Sequence, residues 1–414
     1  MATVRPEVDQ PVSRARSAFG YLWSASIVSS VGDGAYLVAA PLLAALLTNS
    51  PIGVAVVSAA TAAPWLLVGF WSGAIVDRFP RRLVMVIADL VRAVGLTVIA
   101  VLVASGHATI AALAGASFLV VAGKSFHDAA AQALVPHVVG RSQDALTRAN
   151  GRLFAGETVS QTVAGPPLGG ATFGVAPWLP FALDAVSFAG SAALLGRVPA
   201  PPPPERQDGQ SLGAAVREGF QYLFRRRELV ALALCLGAFN LAYNLAYATI
   251  VLFAKHTLHV SNFGFALLVS VGALGSAVTG WLAPALVRRL TTKGAVVAAL
   301  LVQALGWLAV AATSSVWIVG AALLVLGTST TLVTVAAVSA RQQIVPDYLL
   351  GRVVSAFRLL GNGAAPVGSV LGGLVADGYG LRAPLVLAPI VIAASLALFA
   401  APLFNRPRPA SGQA

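Results

Sequence analysis

The sequence predicts an all-α integral membrane protein: twelve transmembrane helices forming two six-helix bundles related by a parallel pseudo-repeat. Three observations carry that expectation: the composition, the recurrence of long apolar runs, and the one-sided placement of arginine and lysine. The 414 residues are 57% hydrophobic and only 10% charged, with a mean hydropathy of +0.82. A soluble domain carries about a quarter charged residues and has too little interior for so much apolar surface. Lipid must therefore serve as part of the solvent.

An apolar helix needs about 20 residues to cross the hydrocarbon core. Reading breaks at charges, Pro and Gly places spans near 18–47, 52–76, 83–104, 108–130, 151–174 and 177–196. The second set falls near 228–254, 261–287, 294–313, 315–338, 353–376 and 382–404. Gaps of a few residues force antiparallel neighbours. The polar stretch before Ala18 lacks a cleavage signal and the run after it is too long for a leader, so it reads as a retained first span.

The formal charge of +12 follows the topology. With the N-terminus inside, all but four of the 27 basic residues fall in cytoplasmic segments, the exceptions being Arg92, Lys124, Lys255 and Arg382. That asymmetry is the positive-inside pattern and requires an even number of spans. It points to anionic membrane lipid, not nucleic acid, as the partner of the positive charge. A single cysteine, Cys235, excludes a disulfide framework or a zinc cluster. No phosphate-binding loop and no His-Glu-x-x-His motif is present, so the chain reads as neither an ATPase nor an embedded protease, and no enzyme activity or cofactor is expected.

The halves are expected at residues 1–197 and 228–414, joined by a cytoplasmic linker at 198–227. Proline runs from Pro201 to Pro204 in that linker. Beyond it Leu212, Ala215, Val216, Phe220, Leu223 and Phe224 share one helical face flanked by arginines, as in a helix lying on the membrane surface. A plain linker is the alternative. The duplication shows in two loops, Leu134-Val-Pro-His-Val-Val-Gly-Arg141 and Ile344-Val-Pro-Asp-Tyr-Leu-Leu-Gly-Arg352. Each precedes a proline and glycine run: Gly165-Pro166-Pro167-Leu168-Gly169-Gly170 in the first half, and Pro366 with Gly372-Gly373 in the second. Parallel repeats of this kind build many transporter folds.

Ionisable groups at membrane depth are expensive and normally face a cavity or a partner. Asp33, between Gly32 and Gly34, is the leading candidate for a proton or cation site, with Glu157 as a second carrier. Burial of Asp33 against neighbouring helices, with a purely structural role, is the alternative. Asp184 reads as structural or interfacial. Asp89 with Arg92, and Lys124 with Asp128, have the spacing of self-neutralising pairs on one helix face. His127 beside Asp128 has the position of a relay or of a satisfied core histidine. In the seventh span Asn240, Tyr243, Asn244 and Tyr247 form an uncharged stripe suited to an amphipathic solute or to interhelical hydrogen bonds. Gln303, Arg358 and Asn362 are weaker candidates.

The loop Gly73-Ala-Ile-Val-Asp77-Arg78-Phe-Pro-Arg81-Arg82 resembles the signature loop of the major facilitator superfamily. Together with the Val-Pro and Gly-Arg loops it is similar to a bacterial exporter branch that includes macrolide-efflux and siderophore-export proteins. The resemblance covers nearly the whole chain. It implies that Gly73, Asp77, Arg78, Arg81 and Arg82 gate the cytoplasmic face, and that Gly165, Pro166, Gly169 and Gly170 form an antiporter-like kink. Three positions depart from the pattern. The loop at 286–293 lacks the aspartate, Gln161 replaces an expected glycine, and Lys124 stands where a fourth-helix arginine motif is usual. The implied function is proton-coupled export of amphipathic small molecules by a monomer in the bacterial inner membrane, both termini cytoplasmic. An uptake symporter or lipid flippase of the same fold is the alternative; a sensor or scaffold would want an output domain, for which 197–227 is too short.

Overall fold

The structure, a computed structural model, describes residues 12–68, 72, 75–76, 78–140, 142–199 and 212–404. Among these no strand occurs. The first part of the chain folds as α1 (Val12–Leu47), α2 (Pro51–Leu67), α3 (Arg81–Ala104), α4 (Ile110–Val139), α5 (Gln143–Val159), α6 (Gly165–Val175) and α7 (Leu179–Leu195). A surface helix α8 (Leu212–Arg225) follows. The remainder comprises α9 (Arg227–Tyr247), α10 (Ile250–His256), α11 (Asn262–Ala311), α12 (Val316–Ile344), α13 (Asp347–Asn362), α14 (Ala364–Tyr379) and α15 (Ala383–Phe404).

Eight helices among the described residues are long and apolar enough to cross a membrane, and three shorter apolar ones accompany them. Short loops end in side-chain caps: Thr109 accepts from Ala112 N at 3.1 Å to start α4, and Ser261 from Gly264 N at 3.0 Å to start α11. The predicted break near residue 290 appears inside α11, where Thr291 takes φ 62° and interrupts the helix. The predicted fifth span is longer than expected. It runs from Gln143 to Val175 through a π-turn at Ser160–Ala164, directly before Gly165 and Pro166. Proline at 166 has no N–H to give to residue 162, so the wider turn absorbs the mismatch. The predicted eleventh span breaks similarly at Gly363, between α13 and α14.

Helix α3 shows the membrane logic plainly. Its inner face buries Met85, Asp89 and Arg92, while Leu83, Ile87, Val94 and Val98 stand exposed on the other. A soluble helix would reverse that order. Helix α8 falls in the segment expected to form an amphipathic helix. Its Leu223 is fully buried and its Tyr222 donates to Ile344 O at 3.3 Å, so the helix docks on the protein through α13 and does not rest on lipid alone. Phe224 remains exposed beside Phe220.

In the first half α1 packs on α6 and α7, and α3 on α4 and α7; in the second, α9 packs on α14 and α15. Two seams join the halves, α2 against α14 and α6 against α11. Each seam is built around a glycine pair. Gly169 abuts the backbone of Ala35 in its own half, while Gly170 abuts Asn262, Phe263 and Ala266 of the other. Likewise Gly372 abuts Leu245 of its own half, and Gly373 abuts Pro51, Ile52 and Ala55 across the seam. A Cβ at Gly372 would collide with the Leu245 carbonyl, a group that cannot move aside. Gly372→Val is therefore expected to destabilise the α9–α14 contact by about 1–3 kcal/mol, lowering the unfolding temperature of detergent-solubilised protein by roughly 5 °C. Differential scanning fluorimetry would read it; an unchanged transition would remove the close approach as a stabilising feature.

Candidate functional site

Three helices of the first half converge on one carboxylate. Asp33 of α1 is buried and receives Arg92 of α3 in a short ion pair, while Lys124 Nζ of α4 donates to its other oxygen at 3.0 Å. The expected pairs along single helices also form, Arg92 with Asp89 at 3.6 Å and Lys124 with Asp128 at 3.7 Å. Neither pair is self-contained, because both cations reach across to Asp33. His127 turns away from Asp128: its Nδ1–H donates to Asp89 at 2.9 Å, and Ser191 donates to the second Asp89 oxygen at 2.6 Å. Arg92 completes its shell by lying 3.7 Å over the Phe188 ring. The result is a continuous buried network from His127 through Asp89, Arg92 and Asp33 to Lys124.

Sequence reasoning named Asp33 but missed its partners, which lie 59 and 91 positions away. Equal depth was the available signal, since Asp33, Arg92 and Lys124 all sit well inside their helices. Glu157 is half-buried near the opening of the network, with Ser26 as a hydrogen-bond partner and Asp128 and Lys124 as charged neighbours. The glycines beside Asp33 are explained by contact: Gly32 leaves room for Asp184 of α7, and Gly34 for the backbone of Gln161 and Gly165. A glycine at 161 is thus not required there, because the backbone and not the side chain of Gln161 meets α1.

In the second half, Tyr243 and Tyr247 stack at 5.2 Å, Phe239 extends the stack, and Trp307 meets Tyr243 edge-on at 5.8 Å. The asparagines of the stripe turn partly inward. Asn240 Nδ2 donates to Leu236 O and Gly361 O, both at 3.1 Å, and Asn244 Nδ2 donates to Asn240 O at 2.9 Å. Their amide hydrogens serve helix contacts. Gln303 Nε2 donates to Phe239 O at 3.2 Å behind the aromatic column.

Of the gating loop, Gly73 and Asp77 lie outside the described residues. Arg78 is exposed. Arg81 reaches the His137 ring at 2.9 Å, and Arg82 donates to Val198 O at 2.8 Å, so both arginines bind within the first half. No group of His, Cys, Asp and Glu that would hold a metal occurs among the described residues.

A bundle of apolar helices long enough to cross a membrane, with a charge network buried inside it, has the build of a membrane transporter. The transmembrane secretion effector family matches residues 11–407, and the chain belongs to that family of the major facilitator class. The chain is 29% identical over 401 residues to the multidrug efflux pump Tap of Mycobacterium tuberculosis and of Mycobacterium bovis, covering 90% of this chain and 91% of the relative. Among solved structures it resembles the nucleoside transporter NupG with TM-score 0.77 at 12% identity, over 94% of this chain and 100% of that one. It also resembles a bacterial homologue of the iron transporter ferroportin in an inward-facing state, with TM-score 0.74 at 17% identity, over 96% and 100%. These likenesses establish the fold.

Proposed function

We propose that the protein is a secondary active exporter that exchanges periplasmic protons for an amphipathic small molecule. The observation that carries this reading is Asp33, a buried carboxylate shared by two cations from two other helices. Protonating Asp33 cancels the charge that holds Arg92 and Lys124 together and loosens α1 from α3 and α4. Losing the proton restores the cage. A proton from one side is thus coupled to the packing of the helices that line the path. The relationship to the Tap efflux pumps supports export of drug-like solutes.

On this reading the chain has twelve spans in halves at 1–197 and 228–414, with the 198–227 linker and both termini in the cytoplasm of a bacterial cell. The matched glycine pairs at 169–170 and 372–373 support the pseudo-repeat, since each pair makes one contact within its own half and one across a seam. The seams lie at the end of the bundle carrying the loops after α1 and α10, which this topology puts outside. The structure then corresponds to a state open to the cytoplasm. The halves rock to expose the path on the other side, and the protein works as a monomer surrounded by lipid.

The direct test uses everted vesicles acidified by respiration and a pH-sensitive dye. Adding a transported solute should release protons and recover fluorescence only when the protein is present. Solute movement with no proton release would overturn the coupling. The aromatic column gives a second expectation. Replacing Tyr243 with Ala removes a stacking partner worth about 0.5–1.5 kcal/mol, so half-saturation for aromatic solutes should rise roughly two- to tenfold with little change in maximal rate. A fall in rate alone would place the solute elsewhere.

A further inference from the structure

One cavity lies apart from the path between the halves. It encloses about 470 Å³, within the range of about 300–1,000 Å³ typical of small-molecule sites, and only α1, α6 and α7 line it. Its direction follows from the helical positions. On α6, Gly169 faces α1 and Gly170 faces α11 of the second half. Leu168 and Thr172, which line the cavity, lie on the other side of Gly169 from Gly170. The cavity therefore opens away from the seam, toward the lipid. Val28, Leu168 and Leu183 on its walls are each more than a third exposed.

At its floor stands Asp184, which is 1% exposed. Its Oδ1 accepts from Ser187 at 3.0 Å, and its Oδ2 is buried with no hydrogen-bond partner. No ion pair reaches it among the described residues; Arg92, the nearest cation, is engaged by Asp33 and Asp89. An apolar groove open to lipid with an unmatched carboxylate at its base is complementary to one class of ligand.

We propose that the groove between α1, α6 and α7 is a membrane-side binding site for a monovalent amphipathic cation, its charge against Asp184 and its apolar body against Val28, Val31, Leu168 and Leu183. Such a cation reaches the site from the bilayer without entering the path between the halves. Thr172 and Ser187 are the only other polar groups on the lining, so uncharged polar ligands find little to bind.

The test labels a cysteine on the groove wall. In a Cys235→Ser background, Val28→Cys in lipid nanodiscs is reacted with N-ethylmaleimide, with and without tetraphenylphosphonium, a permanent cation. Saturating probe should slow labelling about tenfold, and Asp184→Asn should raise the probe concentration needed by roughly 10- to 100-fold, the worth of a charge-assisted contact. Neutral triphenylphosphine oxide should protect poorly. Equal protection in Asp184→Asn, or equal protection by the neutral compound, would show an apolar slot for rings or acyl chains and overturn the proposal. Unprotected labelling would overturn it outright. Leu168→Trp, which fills the groove and keeps Asp184, should also abolish protection, and covers the case in which Asp184→Asn misfolds. Tyr243→Ala should leave protection intact, so the groove can fail or stand independently of the exporter reading.

Discussion

Asp33→Asn should abolish accumulation against a gradient while leaving downhill solute movement in place. One proton driven by 100 mV supplies about 2.3 kcal/mol, which sustains roughly a forty-fold gradient of a neutral solute at 1.4 kcal/mol per decade. Asparagine keeps the size of Asp33 and one accepting oxygen, replaces the other with an N–H donor, and cannot take up or release a proton. The sustained gradient should therefore fall from about forty-fold to near unity. Flux should also stop responding to an imposed pH difference, whereas wild-type flux should accelerate as the periplasmic side is acidified. Counterflow of labelled solute, which needs no proton, reports whether the variant is folded. Retained uphill transport with normal counterflow would remove Asp33 as the coupling group and shift attention to Glu157.

Arg92→Met should be the most damaging single change to the fold. Arg92 is 1% exposed and sits between Asp33 and Asp89, both buried. Removing one partner of a buried ion pair typically costs about 3–5 kcal/mol, because the charge left behind has neither water nor counterion. Here two carboxylates lose a partner, although Lys124 still serves Asp33 and His127 still serves Asp89. Folded yield and thermal stability in detergent should drop sharply. The double variant Arg92→Met with Asp33→Asn should recover much of the loss, since the main unmatched charge goes with it. If the double variant is as unstable as the single, packing of Arg92 on Phe188 matters more than its charge.

The apolar runs are local properties, and they made the all-helical membrane fold and the burial of Asp33 legible. Pairings within one helix were legible too, since Asp89 and Arg92 are three residues apart. What the sequence withheld was which helix faces which. Asp33 finds Lys124 only after α1 and α4 come together, and His127 prefers Asp89 to its chain neighbour Asp128 for the same reason. Asp184 is the sharpest instance. Its sequence suggests a structural residue on a peripheral helix, and only the opposition of Gly32 across the α1–α7 contact reveals the groove it closes. The asparagine stripe leaves a solute and interhelical hydrogen bonds both open, and Asn240 makes the second. Spacing put Asn240 on one face with the tyrosines, but its amide reaches back to the Gly361 carbonyl.

The two glycine pairs also set a lever. Both glycine pairs lie toward one end of the bundle, and their inner members meet backbone closely within each half, as the proposed rocking of solid halves would need. A fulcrum at one end amplifies. Helix α12 has 29 residues and, at roughly 1.5 Å per residue, is about 43 Å long. Tilting an arm of that length by about 10° carries its far tip roughly 7 Å, about the thickness of an aromatic ring and its neighbour. On the rocking motion proposed above, a few ångströms of sliding at Gly170 and Gly373 would thus close the doorway at the opposite, cytoplasmic face, and no helix need unwind to do it.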